Sequence, residues 1–187
     1  MKLTHSPASP FVRKVLVLLH ETGQLSDVEL LPVTTTPLEP SAEVRASNPL
    51  AKIPALERAD GPTLYDSRVI CAYLDARAGG HLYGQGWDSK LLEATADGIM
   101  DAAVLMSYEK RMRPADKQWD GWLDAQLGKV LGGCAALNAR WMSHLRGPLD
   151  IGQIAVGCAL GYVDFRHPNA GWRQGNESLA EWFETFD

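Results

Sequence analysis

Strand-like and helix-like stretches alternate between residues 2 and 77, whereas only helix-like stretches follow residue 88. That change of period confines the chain to an α/β unit joined to an all-helical one. Lys2 to Thr4 reads as a short strand running into Ser6-Pro7-Ala8-Ser9-Pro10. Ser9 followed by Pro10 is a helix start, with Ser as N-cap and Pro at the first helical position. The helix continues through His20 and stops at Gly23. Val28 to Val33 is a strand with apolar residues on both faces, which predicts a buried place in a sheet. A polar, Thr/Pro-rich loop fills 34–48, and Asn48-Pro49-Leu50-Ala51-Lys52-Ile53-Pro54 turns the chain into a strand over Ala55 to Arg58. Asp60-Gly61 is a hairpin signal, with Thr63 to Tyr65 as the return strand. Asp66-Ser67 caps a helix that reaches Arg77 and ends at Gly79-Gly80.

This order, β-α-β then β-β-α, is that of a thioredoxin-like domain over residues 1–80. A helix between the first two strands makes them parallel, and the hairpin makes the last two antiparallel. Residues 81–88 have two glycines and no period and read as a linker to an all-helical domain over 89–187. There Asp88 caps a long helix to about Met112, with Leu91, Leu92, Thr95, Ile99, Ala102, Ala103 and Met106 on one face. Pro114 breaks it, and a second long helix is expected from Ala115 to Leu145. Asp150-Ile151-Gly152-Gln153 is a capping box opening a helix apolar all round, which belongs in the middle of a domain. Ser178 to Glu181 is another, starting a last helix that reaches Asp187. All six Trp lie beyond residue 80, and seven of the eleven Pro lie at or before residue 54, as two differently built halves would have it.

Charge narrows the function. Eighteen Lys+Arg against 23 Asp+Glu leave a net charge of −5, which argues against a nucleic-acid partner. Cys71, Cys134 and Cys158 are far apart in apolar runs and read as buried thiols of a reducing compartment. The five His form no pair at metal-ligand spacing, so no metal is expected. No stretch approaches the ~18 apolar residues of a membrane helix. The expectation is a cytoplasmic protein with no membrane partner.

Four signals, in this order and spacing, resemble the cytosolic glutathione transferases, and the bacterial YibF-type branch in particular. They are Ser9-Pro10-Phe11 after the first strand, Asn48 to Pro54, Asp66-Ser67 at a helix start, and the capped apolar helix at 150–163. Ala96 to Ala102 and Gly161 to Arg166 carry the narrower likeness. The resemblance implies glutathione as co-substrate, a small electrophile as second substrate, and a homodimer.

The residues themselves support a bland reading beside each implied role. Ser9 is a helix N-cap, and it stands where the family places its thiol-activating group, with Ser6 as an alternative donor. A free thiol titrates near about 8.5, so a hydrogen bond and a helix N-terminus that favour the anion would raise the thiolate fraction. Serine in place of cysteine removes the nucleophile that thiol–disulfide exchange requires. Phe11 falls with Ser9 among the implied glutathione-binding residues. Ile53-Pro54 is a strand start, and the family makes this Pro cis and pairs the residue before it with the cysteinyl backbone of glutathione. Lys52 is either a solvated residue or a point charge for the glycyl carboxylate. Asp66-Ser67 caps a helix whose N-terminal N–H groups would take the γ-glutamyl carboxylate, with Asp66 facing the ammonium where the family usually has Glu.

Asp97 and Asp101 share a helix face, either solvated or reaching a partner subunit's glutathione. Tyr108, Arg111, Met112 and Arg113 are either a polar helix end or part of a second-substrate site between the domains. The expected activity is thiol activation for attack on a small electrophile. A transferase-like binding protein without activity, and a glutathione-dependent peroxidase needing no protein Cys, are the alternatives. The last helix ends unfinished at Asp187, where the resembling family continues for roughly another turn or more plus a tail, so a C-terminal piece bordering the second substrate is expected to be naturally truncated or missing.

Overall fold

The computed structural model describes residues 1–84 and 86–186. They form two compact units, Met1–Gln85 and Gly86–Asp187. In the first, β1 (Lys2–His5) is the middle strand, flanked by β2 (Glu29–Pro32) and β3 (Leu56–Glu57). β1 and β2 are parallel, with Lys2 opposite Glu29 and His5 opposite Pro32. β1 and β3 are antiparallel, with Lys2 opposite Glu57 and Leu3 opposite Leu56. β2 is therefore an edge strand, and Glu29, Leu30 and Pro32 are exposed where a buried strand was expected. Its two apolar faces misled because only one side of it has a partner. The return strand at Thr63 to Tyr65 shrinks to one bridge, Leu56–Leu64. Arg58 Nε donates to Pro62 O at 3.1 Å across that turn.

Helices α1 (Pro10–Glu21) and α3 (Ser67–Arg77) pack together, and α2 (Ala42–Ser47) lies between β2 and β3 in the chain. The core of this unit gathers Leu3, Val12, Val15, Leu18 and Leu19 with Val44, Leu56, Ile70 and Leu74. Helix α2 arises inside the expected loop 34–48. Ser41 Oγ accepts from Val44 N at 3.2 Å, and Val44 is completely buried. Six residues are too few to display a helical period, so only this cap announces it. Both α1 and α3 end in glycine-dependent Schellman turns. Gln24 N reaches Leu19 O (2.8 Å) past Gly23 at φ 67°, and Gly80 N reaches Asp75 O (2.8 Å) past Gly79 at φ 108°. The buried Asp75 carboxylate then takes Leu82 N (2.9 Å) and Tyr83 N (3.0 Å), anchoring the chain as it leaves the unit.

The second unit holds α4 (Trp87–Met112), α5 (Asp120–Arg140), α6 (Met142–Leu145), α7 (Ile151–Arg166) and α8 (Glu177–Phe186). Helix α4 starts at Trp87 with Gly86 at its N-cap, so Asp88 sits in its first turn rather than at its cap, and the last two residues of the expected linker are helical. Gln85, also in that stretch, lies outside the described residues, as does Asp187. Leu91 is exposed, not on the buried face. α7 packs chiefly on α4 and is buried from Ile151 through Val156, as its apolar circumference predicts. A Cβ on Gly152 would lie 2.7 Å from Leu92 Cβ, so a side chain there would have no room against α4.

The single long helix expected over Ala115 to Leu145 is interrupted twice. Gln118 Nε2 donates to Lys110 O (3.1 Å) and Arg113 O (3.0 Å), and Trp119 N to Glu109 Oε1 (3.1 Å). These bonds finish α4 and hold 113–119 out of a regular helix, leaving one 3-10 turn at Ala115–Lys117. Trp141, at φ −117° and ψ 1°, separates α5 from α6. Helix α8 begins one residue before Ser178, with Ala180 N bonded to Asn176 O at 3.0 Å, so the expected second capping box does not form.

No described helix is long and apolar enough to cross a membrane, and no group of three His, Cys, Asp or Glu among the described residues could hold a metal ion. Cys71, Cys134 and Cys158 are buried thiols. Burial, aided by the Asp164 charge, pushes the Cys134 thiol up to about 12.

In the last turn of α7, Asp164 accepts from Trp172 Nε1 (2.8 Å) and bidentately from Arg173 Nη1 and Nη2 (both 2.7 Å) of the segment that follows. Partial burial alone would raise this carboxyl, but the bonds from Arg173 and Trp172 and the Arg173 charge outweigh it and hold the pKa below the usual range. A depressed folded-state pKa contributes stability that is present above the unfolded value of about 3.9 and is lost as pH falls through the folded one. Urea unfolding measured from neutral pH downward should therefore show stability falling below about pH 4. Asp164→Asn should be less stable at neutral pH and show a flatter pH profile. An unchanged profile would mean that the pair contributes nothing.

Candidate active site

Strand directions bring three sequence signals to one end of the sheet. β1 runs towards Ser9. β3 is antiparallel to it, so Ile53-Pro54, which lead into β3, lie at the same end. The Leu56–Leu64 bridge is antiparallel again, so the chain emerges at Asp66 on that side too. Two helices, α1 and α3, thus begin where the chain enters β3.

Ser9 caps α1. Its Oγ accepts from Val12 N at 3.3 Å, and its N donates to Ser6 O at 3.1 Å. A hydroxyl has one proton to donate and two lone pairs. The cap uses a lone pair only, so the Ser9 proton remains for an acceptor outside the helix, and the two readings of this residue are compatible. Pro10 has no N–H, Val12 N is taken by Ser9, and Phe11 N–H has no acceptor among the described residues. The first turn of α1 carries no acidic residue, so its positive end is uncompensated.

The approach to β3 is built by two residues that sequence reasoning did not single out. Thr4 N donates to Ala55 O (2.9 Å), and Thr4 Oγ1 accepts from Ala55 N (2.7 Å), a hydroxyl doing a carbonyl's work at the end of the ladder. Buried Asn48 takes Leu50 N on Oδ1 (2.9 Å) and gives Nδ2 to Lys52 O (2.9 Å). This holds the turn in which Ala51 adopts φ 53°, a left-handed conformation unusual for alanine. Ile53–Pro54 is cis. Because Pro54 has no N–H, the ladder stops at Ala55. The N–H and C=O of Ile53 then have no backbone partner among the described residues. Ile53 is half-buried and Lys52 exposed.

Asp66 caps α3, accepting Arg68 N on Oδ1 (3.0 Å) and Arg68 Nη2 on Oδ2 (3.2 Å). Burial works to raise its pKa. The hydrogen bonds and charge of Arg68, with the charge of Lys14, work against that and hold it low, so it is a carboxylate at neutral pH. Ser67 follows, buried, in the first turn. The assembly therefore offers one hydroxyl proton, one unpaired stretch of backbone, one carboxylate and two helix N-termini. Such a set fits a small peptide-like ligand carrying both carboxylate and ammonium groups.

Comparison with known proteins gives the family. Residues 8–77 match the family described as "Glutathione S-transferase, N-terminal domain" and residues 120–185 match "Glutathione S-transferase, C-terminal domain". The chain is 33% identical over 192 residues, 99% of its length and 93% of the relative's, to the Escherichia coli (strain K12) protein described as "Uncharacterized GST-like protein YibF". The chain belongs to the glutathione S-transferase family.

Among solved structures of that family, a member from Pseudomonas fluorescens Pf-5 with bound glutathione is 48% identical, with a TM-score of 0.95, covering 98% of this chain and 92% of that one. A second structure, from the same organism and holding S-(propanoic acid)-glutathione, is 47% identical with a TM-score of 0.90, covering 99% and 93%. One from Methylobacillus flagellatus KT with GSH bound is 35% identical with a TM-score of 0.83, covering 98% and 93%. The transferase fold, with its thioredoxin-like first half, is thus the fold of this chain.

The α4 residues singled out from the sequence are less uniform. Asp97 is buried and Asp101 exposed. Tyr108 and Met112 are half-buried, and Arg111 is exposed. Arg113 is already committed, its Nε 2.8 Å from Glu109 Oε1. Glu109 also accepts Trp119 N, so this pair closes the end of α4.

Proposed function

We propose that the protein is a glutathione transferase that uses serine to activate the thiol of glutathione for attack on a small electrophile. The observation that carries this is the meeting, at one sheet end, of the Ser9 cap, the unpaired Ile53 backbone and the Asp66-Ser67 cap. In this reading the glutathione bound by the similar solved structures is also this chain's co-substrate. Its γ-glutamyl carboxylate lies on the N-terminus of α3 and the Ser67 hydroxyl, its ammonium faces Asp66, and its cysteinyl N–H and C=O pair with Ile53. Lys52 faces its glycyl carboxylate. Phe11, beside Ser9, offers its spare N–H, and Ser9 donates its proton to the sulfur. The thiol proton goes to solvent, and the thiolate forms a carbon–sulfur bond with the electrophilic carbon as a leaving group departs with its electron pair or as a π bond at that carbon opens and the neighbouring atom takes a proton from water. Tyr108, Arg111 and Met112 of α4 are the acceptor-binding candidates of this reading. The active form is a cytoplasmic homodimer, with the exposed Asp101 facing the partner and Asp97 beside it on α4. Detoxification of electrophiles is the fitting physiological role.

Retention on immobilised glutathione, followed by conjugation of chlorodinitrobenzene, tests this reading. Retention without conjugation would favour a binding protein, and turnover of cumene hydroperoxide alone a peroxidase. Absence of retention would overturn the reading. Asp66 gives a finer check. Asp66→Asn keeps an N-cap as good as the original but removes the charge facing the ammonium. The KM for glutathione is expected to rise about tenfold, with little change in melting temperature. An unchanged KM would remove Asp66 from the site.

A further inference from the structure

The β1–β3 ladder ends irregularly beside Ile53. Its register, with Lys2 opposite Glu57 and Leu3 opposite Leu56, continues to Thr4 opposite Ala55 and Ser6 opposite Ile53. Backbone groups of alternate residues in a strand face opposite neighbours. The carbonyls of Met1 and His5 take Glu29 N and Val33 N (both 2.9 Å), so those of Thr4 and Ser6 face the β3 side. A regular ladder would carry Ala55 N to the Thr4 carbonyl and Ile53 N to the Ser6 carbonyl. Neither bond forms. Ala55 N donates instead to the Thr4 hydroxyl at 2.7 Å, and the Ser6 carbonyl accepts Ser9 N at 3.1 Å.

The Thr4 hydroxyl is used in full. It accepts Ala55 N, and its proton goes to Ala55 O (3.3 Å), which also accepts Thr4 N (2.9 Å). Thr4 is 1% exposed and Ala55 completely buried, so no bulk water competes for these bonds. On the other side of Ile53, buried Asn48 holds Lys52 O through Nδ2 at 2.9 Å, and its own carbonyl accepts Ala51 N at 2.8 Å. Residues 52 and 55 are thus both fixed by side chains. Strand addition is favoured by such an arrangement, because the open N–H and C=O of Ile53 are ordered before a ligand arrives and not at its expense.

We infer that Thr4 is a positioning residue for glutathione: by taking Ala55 N on its side chain, it ends the ladder short of Ile53 and holds the Ile53 backbone open for an extended peptide ligand. This rests on the transferase reading above and adds a residue that acts on the ligand through Ile53. In Thr4→Val, the carbonyl of residue 4 is the acceptor left for Ala55 N, as in a regular ladder, and the chain at Ile53 shifts with it.

The test compares calorimetric binding of S-methylglutathione and of its ester analogue, in which oxygen replaces the cysteinyl N–H, to the intact protein. The analogue lacks the donor that meets Ile53 O in this reading. The wild type should bind S-methylglutathione about tenfold more tightly than the ester, at the scale of one hydrogen bond. Thr4→Val should bring that ratio to about twofold or less, and Thr4→Ser, which keeps the hydroxyl, should restore it. A general loss of folding would lower both affinities and leave their ratio. A ratio that survives Thr4→Val, or a wild type that binds both ligands equally, overturns the inference while leaving the transferase reading intact. A wild type that binds neither these ligands nor glutathione overturns both. Hydrogen exchange of the wild type decides the matter if Thr4→Val does not fold. Ala55 N–H should be protected with and without S-methylglutathione, and Ile53 N–H only with it. Protection of Ala55 N–H that appears only with the ligand, or none gained at Ile53, overturns the inference.

Discussion

Ser9→Ala is expected to lower kcat/KM for conjugation by about 10–100-fold, because on the proposed reading the hydroxyl's proton favours the thiolate over the thiol. A shift of one to two pKa units corresponds to about 1.4–2.7 kcal/mol. The readout that separates this from general damage is the ultraviolet absorbance of bound thiolate against pH, whose midpoint should move up towards the free value of about 8.5. The same substitution removes the N-cap bond to Val12 N, which costs about 1 kcal/mol of stability. A control is therefore required. Ser9→Thr keeps both the lone pair for the cap and the proton for the sulfur, and should retain much of the rate. If Ser9→Ala leaves the thiol midpoint unmoved, Ser9 is a cap and nothing more, and Ser6 becomes the donor to test.

The largest loss of stability is expected at Asp150, far from any chemistry. Its carboxylate is completely buried and accepts from Gln153 N (3.1 Å) and Ser89 Oγ (2.6 Å), with His144 Nε2 at 2.6 Å. Gln153 returns the bond by accepting Asp150 N (2.6 Å) and reaches on to Leu145 O (3.0 Å) and Gly147 O (3.1 Å). One side chain therefore starts α7, ties it to α4 through Ser89 and ties it to α6 through His144. Asp150→Ala leaves a buried hydroxyl and a buried N–H unpaired and strands His144 beside them. The expected cost is about 3–5 kcal/mol, or a fall of about 10 °C in melting temperature. Because the chain has two units, the fall should appear in calorimetry and in hydrogen exchange of Gly86–Asp187, with Met1–Gln85 less affected. A loss below about 1 kcal/mol would show that the box is ordinary capping.

The parts of this molecule legible in its sequence are those written in short-range chemistry. Ser9-Pro10, Asp66-Ser67 and Asp150 with Gln153 announce helix starts within four residues, and the structure places a helix after each. What escaped depends on partners distant in sequence. Nothing near Gln118 predicts that its amide will close α4 at Lys110 O and Arg113 O. The edge position of β2 depends on which strands the sheet lacks, not on Leu30 or Leu31. Thr4 reads as one more strand residue until Ala55, 51 positions away, is bonded to it.

On the transferase reading proposed above, the burial of the three cysteines acquires a further meaning. A thiol competes with glutathione for such compounds only as the thiolate, and the Cys134 thiol, pushed up to about 12, is almost wholly protonated in the folded chain. On that reading, folding protects Cys134 from alkylation by the electrophiles that the protein conjugates. Unfolding withdraws that protection, so damage by a reactive compound would fall first on copies that have already opened.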